Sequence, residues 1–464
     1  MIKQFTRTAT PLALALALAG CMSLAPKYER PAAPVAASFP ELAPGAATGA
    51  AASSIAWQQF FADARLKQLI ELALANNRDL RVAILNIEQA RAQYQIRRAD
   101  TLPTVNVGAS GNRATEAEDT IRTTYSAGLV VSAFELDLFG RVRSLSDSAL
   151  AQFLATEEAR KATHISLVAS VANAYLQLLA DEELLALTQK TLDARLESLK
   201  LVQLKYDNGV VSKLDLQQSL SLVDSARVTL AQQQRLRAQD TNLLTLLVGQ
   251  SLPETLPPGV TLAQTLLSEL PAGLPSDLLA VRPDIRAAEQ QLIAANANIG
   301  AARANFFPRI SLTGSAGSVS SELSGLFKSG SFGWSFAPQL VLPIFDFGRN
   351  TAVLGSANAG QEIAVAQYEK SIQTAFREVA DGLAGQATFT EQLRAQRAVA
   401  AAEAERFNLS DLRYRSGAAS YLDLLDAQRS LFAAQQAAVQ ANLQRLQNQV
   451  TLYRVLGGGW TAAQ

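Results

Sequence analysis

One cysteine and one histidine are all that 464 residues contain of two side chains that commonly bind metals or do chemistry. Cys21 alone can close no intramolecular disulfide. Cys21 with His164 falls short of the three or four ligands that a zinc site takes. His164 stands by itself in a helical stretch and reads as an interface residue, not as the base of a catalytic triad. A P-loop Gly-Lys-Ser/Thr and a Rossmann glycine fingerprint after a strand are both missing. The chain therefore reads as a non-enzyme without a cofactor of its own, and any energy it uses must come from a partner. Aromatic residues are scarce at 6%, while Ala, Leu and Gln recur, which favours long helices over a β-sandwich. Neither sign of charge is in surplus, since Lys+Arg and Asp+Glu both number 41, so no basic face for nucleic acid is implied. Long apolar runs are missing as well. No segment offers the ~20 uninterrupted apolar residues of a spanning helix. If the mature chain crosses a bilayer, it must do so with strands.

The cysteine has a context. Lys3 and Arg7 precede an apolar run from Pro11 to Gly20, too short to span a bilayer, which ends in Leu18-Ala19-Gly20-Cys21. This resembles a bacterial lipoprotein signal, in which small residues precede a cysteine that carries lipid and becomes the first residue. Residues 1–20 are then the signal. Residues 21–56, rich in Ala and Pro, read as a lipid-anchored extended tether. Met22 follows the cysteine, where an Asp would mark retention in the inner membrane, so outer-membrane sorting is implied. Acyl chains add about 0.8 kcal/mol of anchoring per buried methylene.

What the chain has in abundance is itself, twice. Phe139-Gly140-Arg141 returns 208 residues later as Phe347-Gly348-Arg349, and Leu214-Asp215-Leu216 as Leu422-Asp423-Leu424. Tyr206, Gly209 and Ser212 return as Tyr414, Gly417 and Ser420 at the same interval. Upstream, Asp79, Ala92 and Pro103 match Asp284, Ala297 and Pro308 at 205 residues, so a three-residue insertion or deletion falls in a surface loop between Pro103 and Phe139. The spacing marks a duplicated unit, repeat 1 over 57–249 and repeat 2 over 277–457. A linker with five prolines covers 250–276, and a tail covers 458–464.

Each unit reads as a helix (64–100 and 277–304), a pair of strands, and a long helical hairpin. The strands are expected over Thr104–Ser110 and Thr123–Leu136, then Arg309–Ser315 and Phe332–Phe345, with polar loops Gly111–Arg122 and Ala316–Ser331 between them. Arg141 to Asn208 holds neither Pro nor Gly, and ~65 residues of helix make a rod of roughly 100 Å. Leu192, Leu196, Leu199 and Tyr206, with Leu216, Leu220, Val223 and Leu230 beyond the turn, keep the heptad-like spacing of helices packed side by side. The second rod holds Gly355, Gly360, Gly382 and Gly385, so it is expected to be looser or to pack closer to its neighbours. Both rods end in a glycine turn, Gly209 and Gly417, followed three residues on by a capping serine, Ser212 and Ser420.

Four strands cannot close a barrel, and their bare edges are prohibitive in hydrocarbon. Two chains would give eight strands, whose interior fills with side chains, whereas three chains give twelve and room for a channel. Phe332, Trp334 and Phe336 alternate with smaller residues and suit an outward face or an aromatic girdle, though the same pattern would serve the core of a soluble β-domain.

The chain is similar to the outer-membrane efflux proteins, the TolC-like outer-membrane factors, and most of all to the lipidated OprM-like branch. The resemblance runs from Cys21 to about Trp460. It rests on Trp57-Gln-Gln-Phe-Phe-Ala-Asp, Asn77-Arg-Asp-Leu80, Val281-Arg-Pro-Asp-Ile285, Ala301-Ala-Arg-Ala-Asn-Phe-Phe-Pro308, the two Phe-Gly-Arg turns and Leu456-Gly-Gly-Gly-Trp460, all in order. It implies a mainly α protein with a membrane β-barrel, a homotrimer with twelve strands in the outer membrane and a periplasmic α-helical barrel closed by an iris-like gate. It implies a passive exit duct for a tripartite efflux system, with a periplasmic adaptor and an inner-membrane RND transporter as partners. Asp423 and Asp426, one helical turn apart, match the family's acidic constriction, and Arg429 is placed to latch onto Asp426. The first copy has Asp215 but no second acid in the same pattern. Tyr206, Gly209, Ser212, Tyr414, Gly417 and Ser420 are the residues expected at the adaptor-docking tips. The alternatives are the outer-membrane duct of a type I protein secretion system, built alike, and a periplasmic coiled-coil scaffold lipoprotein that never spans the membrane.

Overall fold

Without a proline between Arg141 and Asn208, or between Arg349 and Ser416, the backbone ladder has no missing donor, and each stretch folds as one helix of 67 residues. The computed structural model describes residues 23–36, 39, 52–115, 121–265, 267 and 280–460. Cys21 and the signal before it lie outside the described residues. In chain order the main elements are α1 (Trp57–Phe60), α2 (Ala64–Asn76), α3 (Arg78–Ala99), β1 (Val105–Thr115), β2 (Ile121–Leu136), α4 (Arg141–Asp207) and α5 (Lys213–Val248). Then come α6 (Pro283–Ala304), β3 (Arg309–Ser320), β4 (Phe332–Val341), α7 (Arg349–Arg415) and α8 (Tyr421–Val455). Among the described residues no helix is long and apolar enough to cross a membrane. Packing divides the chain into two units, and each draws on both sequence copies. One comprises Met1–Ala33, Leu85–Glu158 and Arg286–Ser371, the other Pro34–Ile84, Ala159–Ile285 and Ile372–Gln464.

The first unit holds one antiparallel sheet in the order β1-β2-β3-β4. The strands are longer than their apolar content suggests. β1 runs on through Thr115 and β3 through Ser320, so the expected tip loops shrink. Apart from Thr115 and Val319, the extension consists of Gly, Ala, Ser, Asn and Arg, residues with little strand preference, held by ladder pairing to their neighbours. β4 in turn stops at Val341, ahead of Pro343, instead of reaching Phe345. Paired residues share a face. One face carries Trp334, Ala316, Leu129 and Val107 in one row, and Phe336, Gly314, Val131 and Val105 in another. Its large side chains stand free, with Trp334 74% and Val107 85% exposed. The opposite face is small and polar. Gly108, Gly128, Gly317 and Gly333 pair in sequence across all four strands. Serine pairs flank the row, with Ser110 and Ser126 hydroxyls 2.8 Å apart and those of Ser315 and Ser335 2.7 Å apart. At the row the strands approach so closely that a Cβ on Gly128 would lie 2.4 Å from the Ala316 carbonyl oxygen. A bulge between Val131 and Phe134 puts Ala133 at a φ of 51° and lets its N–H donate to the Thr313 hydroxyl. At the sheet's base the Arg141 guanidinium grips Glu135 at 2.7 and 2.6 Å, and Arg309 reaches the same carboxylate at 3.3 Å.

The second unit explains most of the signature motifs as packing. Asp63 caps α2, accepting from the Arg65 and Leu66 amides, and takes the Tyr175 hydroxyl at 2.7 Å. The first expected helix, 64–100, breaks at Asn77. Its backbone turns extended, while its side chain donates to the Leu247 carbonyl and accepts from the Leu80 amide, opening α3. The second copy's helix was expected from 277; residues 277–279 lie outside the described residues, 280 and 281 are helical, and after a break at Arg282 α6 starts at Pro283, where a missing N–H costs nothing. In Val281-Arg-Pro-Asp, the buried Arg282 binds Asp284, Glu378 at 2.9 Å and the Val455 carbonyl at 3.1 Å. The glycines of Gly457-Gly-Gly459 let the chain turn against Val281 and the Tyr453 ring, and that ring stacks on Phe60 at 4.0 Å. His164, read as an interface residue, packs within the chain: Trp460 meets it edge-on at 5.0 Å, and Arg160 lies over the same indole. Burial, with Arg160 adding to it, holds the His164 pKa down to about 4. The heptad seam forms through Leu192, Val223 and Ala226, with Leu196, Leu199 and Leu230 against them, but Leu220 stays exposed. The glycines of α7 divide. Gly382 and Gly385 lie tight against Leu452 and Asn448 in this unit, whereas Gly355 and Gly360, in the first, meet open space.

Candidate functional site

The two helical hairpins of the second unit end in matching turns. Gly209 takes a φ of 71° and Gly417 one of 77°, conformations that terminate α4 and α7. The Val210 amide bonds back to the Lys205 carbonyl and the Ala418 amide to the Arg413 carbonyl, both at 2.8 Å. Ser212 and Ser420 then cap α5 and α8 through reciprocal boxes: each serine hydroxyl accepts from the amide of Asp215 or Asp423, and each aspartate accepts from the serine amide.

Of the six tip residues, the two tyrosines turn inward. Tyr414 is buried, its ring 5.3 Å from Tyr421, with the Lys205 ammonium 4.0 Å from its centre. Tyr206 is half-buried against the same cluster of Val202, Leu216, Leu222, Tyr421, Leu424 and Leu425. These tyrosines fasten one hairpin to the other, and burial takes Tyr414 away from any docking partner. Gly209, Ser212, Gly417 and Ser420 remain at the surface, joined by exposed Val210 and Leu214.

The acidic pair also divides. Asp423 is exposed yet engaged in the cap of its own helix. Asp426 reaches across to α7, where the Arg406 guanidinium binds it. Arg406 also contacts Glu403 at 3.1 Å and the Ser430 hydroxyl at 3.4 Å. Its hydrogen bond to Asp426 raises its already high pKa. The expected latch to Arg429 is not formed: Asp426 goes to Arg406 instead. Arg429 stands near the buried Arg195, whose pKa is lowered by burial first and by Arg429 second. Arg195 donates to the Leu222 carbonyl at 3.0 Å and lies over the Phe432 ring. Arg406 is the functional candidate that sequence reading missed. It lies 20 residues from Asp426, and only the hairpin fold brings them together. Leu409, Arg413, Leu422, Asp423 and Asp426 line a groove of about 920 Å³ with Glu405 and Arg406. Charges of both signs thus line the groove, with the exposed Leu409 and Leu422 among them.

The family profile described as "Outer membrane efflux protein" matches residues 69–250 and 274–458. The chain belongs to this family. Among the relatives of this efflux protein is the antibiotic efflux pump outer membrane protein ArpC of Pseudomonas putida, 50% identical, with 98% of this chain and 96% of that protein aligned. The toluene efflux pump outer membrane protein TtgC of Pseudomonas putida matches equally, 50% identical over 98% and 96%. In structure it resembles the open state of the Neisseria gonorrhoeae MtrE outer membrane channel, with a TM-score of 0.86, 42% identity, and coverage of 94% of this chain and 98% of that one. The protein is thus an outer-membrane efflux channel, and its family is a class of ducts, not of enzymes. The two matched segments fall on the two sequence copies.

Proposed function

We propose that the chain is the homotrimeric exit duct of a tripartite, RND-type multidrug efflux system, conducting its cargo passively from the periplasm to the exterior. The observation that carries this reading is the two-faced sheet with unpaired outer edges. Its aromatic face suits hydrocarbon and its Gly/Ser face suits water. β1 and β4 each have one neighbour among the described residues, so a lone copy would leave backbone groups unsatisfied in lipid. Three copies give twelve strands and remove every edge. Lipid on Cys21 anchors each copy. The exposed tip turns around Gly209–Ser212 and Gly417–Ser420 meet a periplasmic adaptor, and the inner-membrane transporter behind it supplies the energy. The Asp426–Arg406 pair, beside Asp423 and Arg429, holds the periplasmic end shut. Relatives named for antibiotics and for toluene support small, largely apolar compounds as cargo.

The test is a deletion strain, complemented with the native chain and scored on a panel of antibiotics and solvents, with the protein analysed alongside on gels. Restored resistance and an SDS-resistant trimer that heat dissociates are expected. Unchanged susceptibility with a heat-indifferent monomer would sink the reading.

A further inference from the structure

Each sequence copy passes from its second strand into its long helix through Phe-Gly-Arg, and the two arginines differ in what surrounds them. Glu135 grips Arg141 with both oxygens, and Asp137 and Asp100 lie within electrostatic reach of it. At the repeat intervals of 208 and 205 residues, the counterparts of these three acids are Pro343, Phe345 and Asn305, all uncharged. Arg349 has thus kept the motif and lost its carboxylates. Its guanidinium is exposed and has no ion-pair or hydrogen-bond partner among the described residues. Asp346, the acid nearest to it in sequence, is taken up by the Gly348 and Asn350 amides at 3.0 and 2.9 Å. Arg349 lines a cleft of about 680 Å³ at the base of the sheet, within the first unit, a volume that suits a drug-sized molecule. Glu135, Ser311 and Gln339 pair in a row along this cleft. Ser311 and Gln339 stand an even number of residues from Gly317 and Gly333, so the row lies on the Gly/Ser face. Glu135 is engaged by Arg141 and Arg309, which leaves Arg349 as the cation of the cleft without an acid. Apolar surface lines the same cleft. Phe307 stacks on Phe139 at 4.7 Å yet stays 39% exposed, and Val341 and Val353 are exposed as well.

We propose that this cleft is a binding site for amphiphilic organic anions, with the acid group on Arg349 and an apolar body against Phe307, Val341 and Val353. A guanidinium offers a carboxylate or sulfonate two parallel donors, a geometry that no neutral group matches. An uncharged apolar compound gains only the walls, and an inorganic anion gains only the arginine. Compounds that carry both features are held best. That the bound molecule is cargo in transit rests on the duct proposed above, whereas the affinity of the cleft does not.

The probe is naphthoate, with naphthamide as its uncharged twin. Binding is measured by equilibrium dialysis against the full-length protein in nanodiscs of zwitterionic lipid, with empty nanodiscs as the blank. Native protein is expected to hold naphthoate about tenfold more tightly than naphthamide, the usual worth of charged hydrogen bonds. Arg349→Gln should erase that preference and leave naphthamide binding as it was. Pro343→Glu returns the acid that the first copy carries, and it should erase the preference with Arg349 still in place. A native protein that does not prefer the acid overturns the site. So does a preference that persists in either variant. Current through planar bilayers reports the passage separately: naphthoate should lower it in native protein and spare it in Arg349→Gln. Arg349-dependent binding with no effect on current upholds the site and counts against the duct. A conducting channel whose naphthoate binding ignores Arg349 overturns the site and leaves the duct standing.

Discussion

Asp426 and Asp423 look alike in sequence and do different work in the structure. Asp423 answers Ser420 in a capping box, as Asp215 answers Ser212. Replacing Asp423 with Ala should cost about 1 kcal/mol, the usual value of a cap, read as a lower thermal midpoint. Asp426 binds Arg406 on the other helix of its hairpin, so its loss should loosen the gate proposed there with little effect on folding. Asp426→Ala or Arg406→Ala is expected to raise single-channel conductance severalfold in planar bilayers. Native conductance in both would remove the pair from the gate. His164 makes a separate prediction. Its folded pKa of about 4 lies below the ordinary 6.5, because burial beside Arg160 disfavours the cation. The unfolded chain therefore takes up this proton first, and stability falls as pH drops from 6.5 towards 4. His164→Phe should flatten that part of the melting-temperature profile, and a profile parallel to the native one would contradict the shift.

Among the elements, those set by local chemistry were legible in the sequence. The long helices, the glycine stops and the serine caps each depend on neighbours a few residues away, and Gly209, Ser212, Gly417 and Ser420 stand where their spacing places them. The strand ends were not. Gly111–Thr115 and Ala316–Ser320 carry no apolar alternation, and only pairing with β2 and β4 makes them strand. The break at Asn77 escaped for a similar reason, since its side chain answers to Leu247, 170 residues on. The tyrosine turns misled differently. Their symmetry marks a shared fold, and the Tyr414–Tyr421–Lys205 contacts show that part of it is mortar between hairpins. The docking proposed for these tips therefore falls to their exposed rim. Val210→Trp or Ala418→Trp should lower drug resistance while the SDS-resistant trimer persists. Tyr414→Ala, by contrast, should destabilise the tip by ~3–5 kcal/mol, as deletion of a buried ring does. Full resistance in both tryptophan variants would move the adaptor elsewhere.

At the scale of the whole molecule, assembly is the unfinished part of the fold. A sheet with one greasy face and two bare edges is stable in a membrane only as a segment of something larger. Single cysteines on β1 and β4, placed in a Cys21→Ser background and oxidised, should link copies into a ladder that ends at three. A ladder that ends at two, or runs on without limit, would contradict a closed ring. The glycine row sets a further condition on such a ring. At that height every strand shows only peptide groups on one side, and the space a methyl would need at Gly128 and Gly317 is filled by the carbonyls of the adjacent strand. At Gly128 and Gly317 a passage lined this way cannot be retuned by swapping side chains. Selection for a new cargo must act at other levels, and the bare band stays an unselective window through which whatever the pump has already chosen slides.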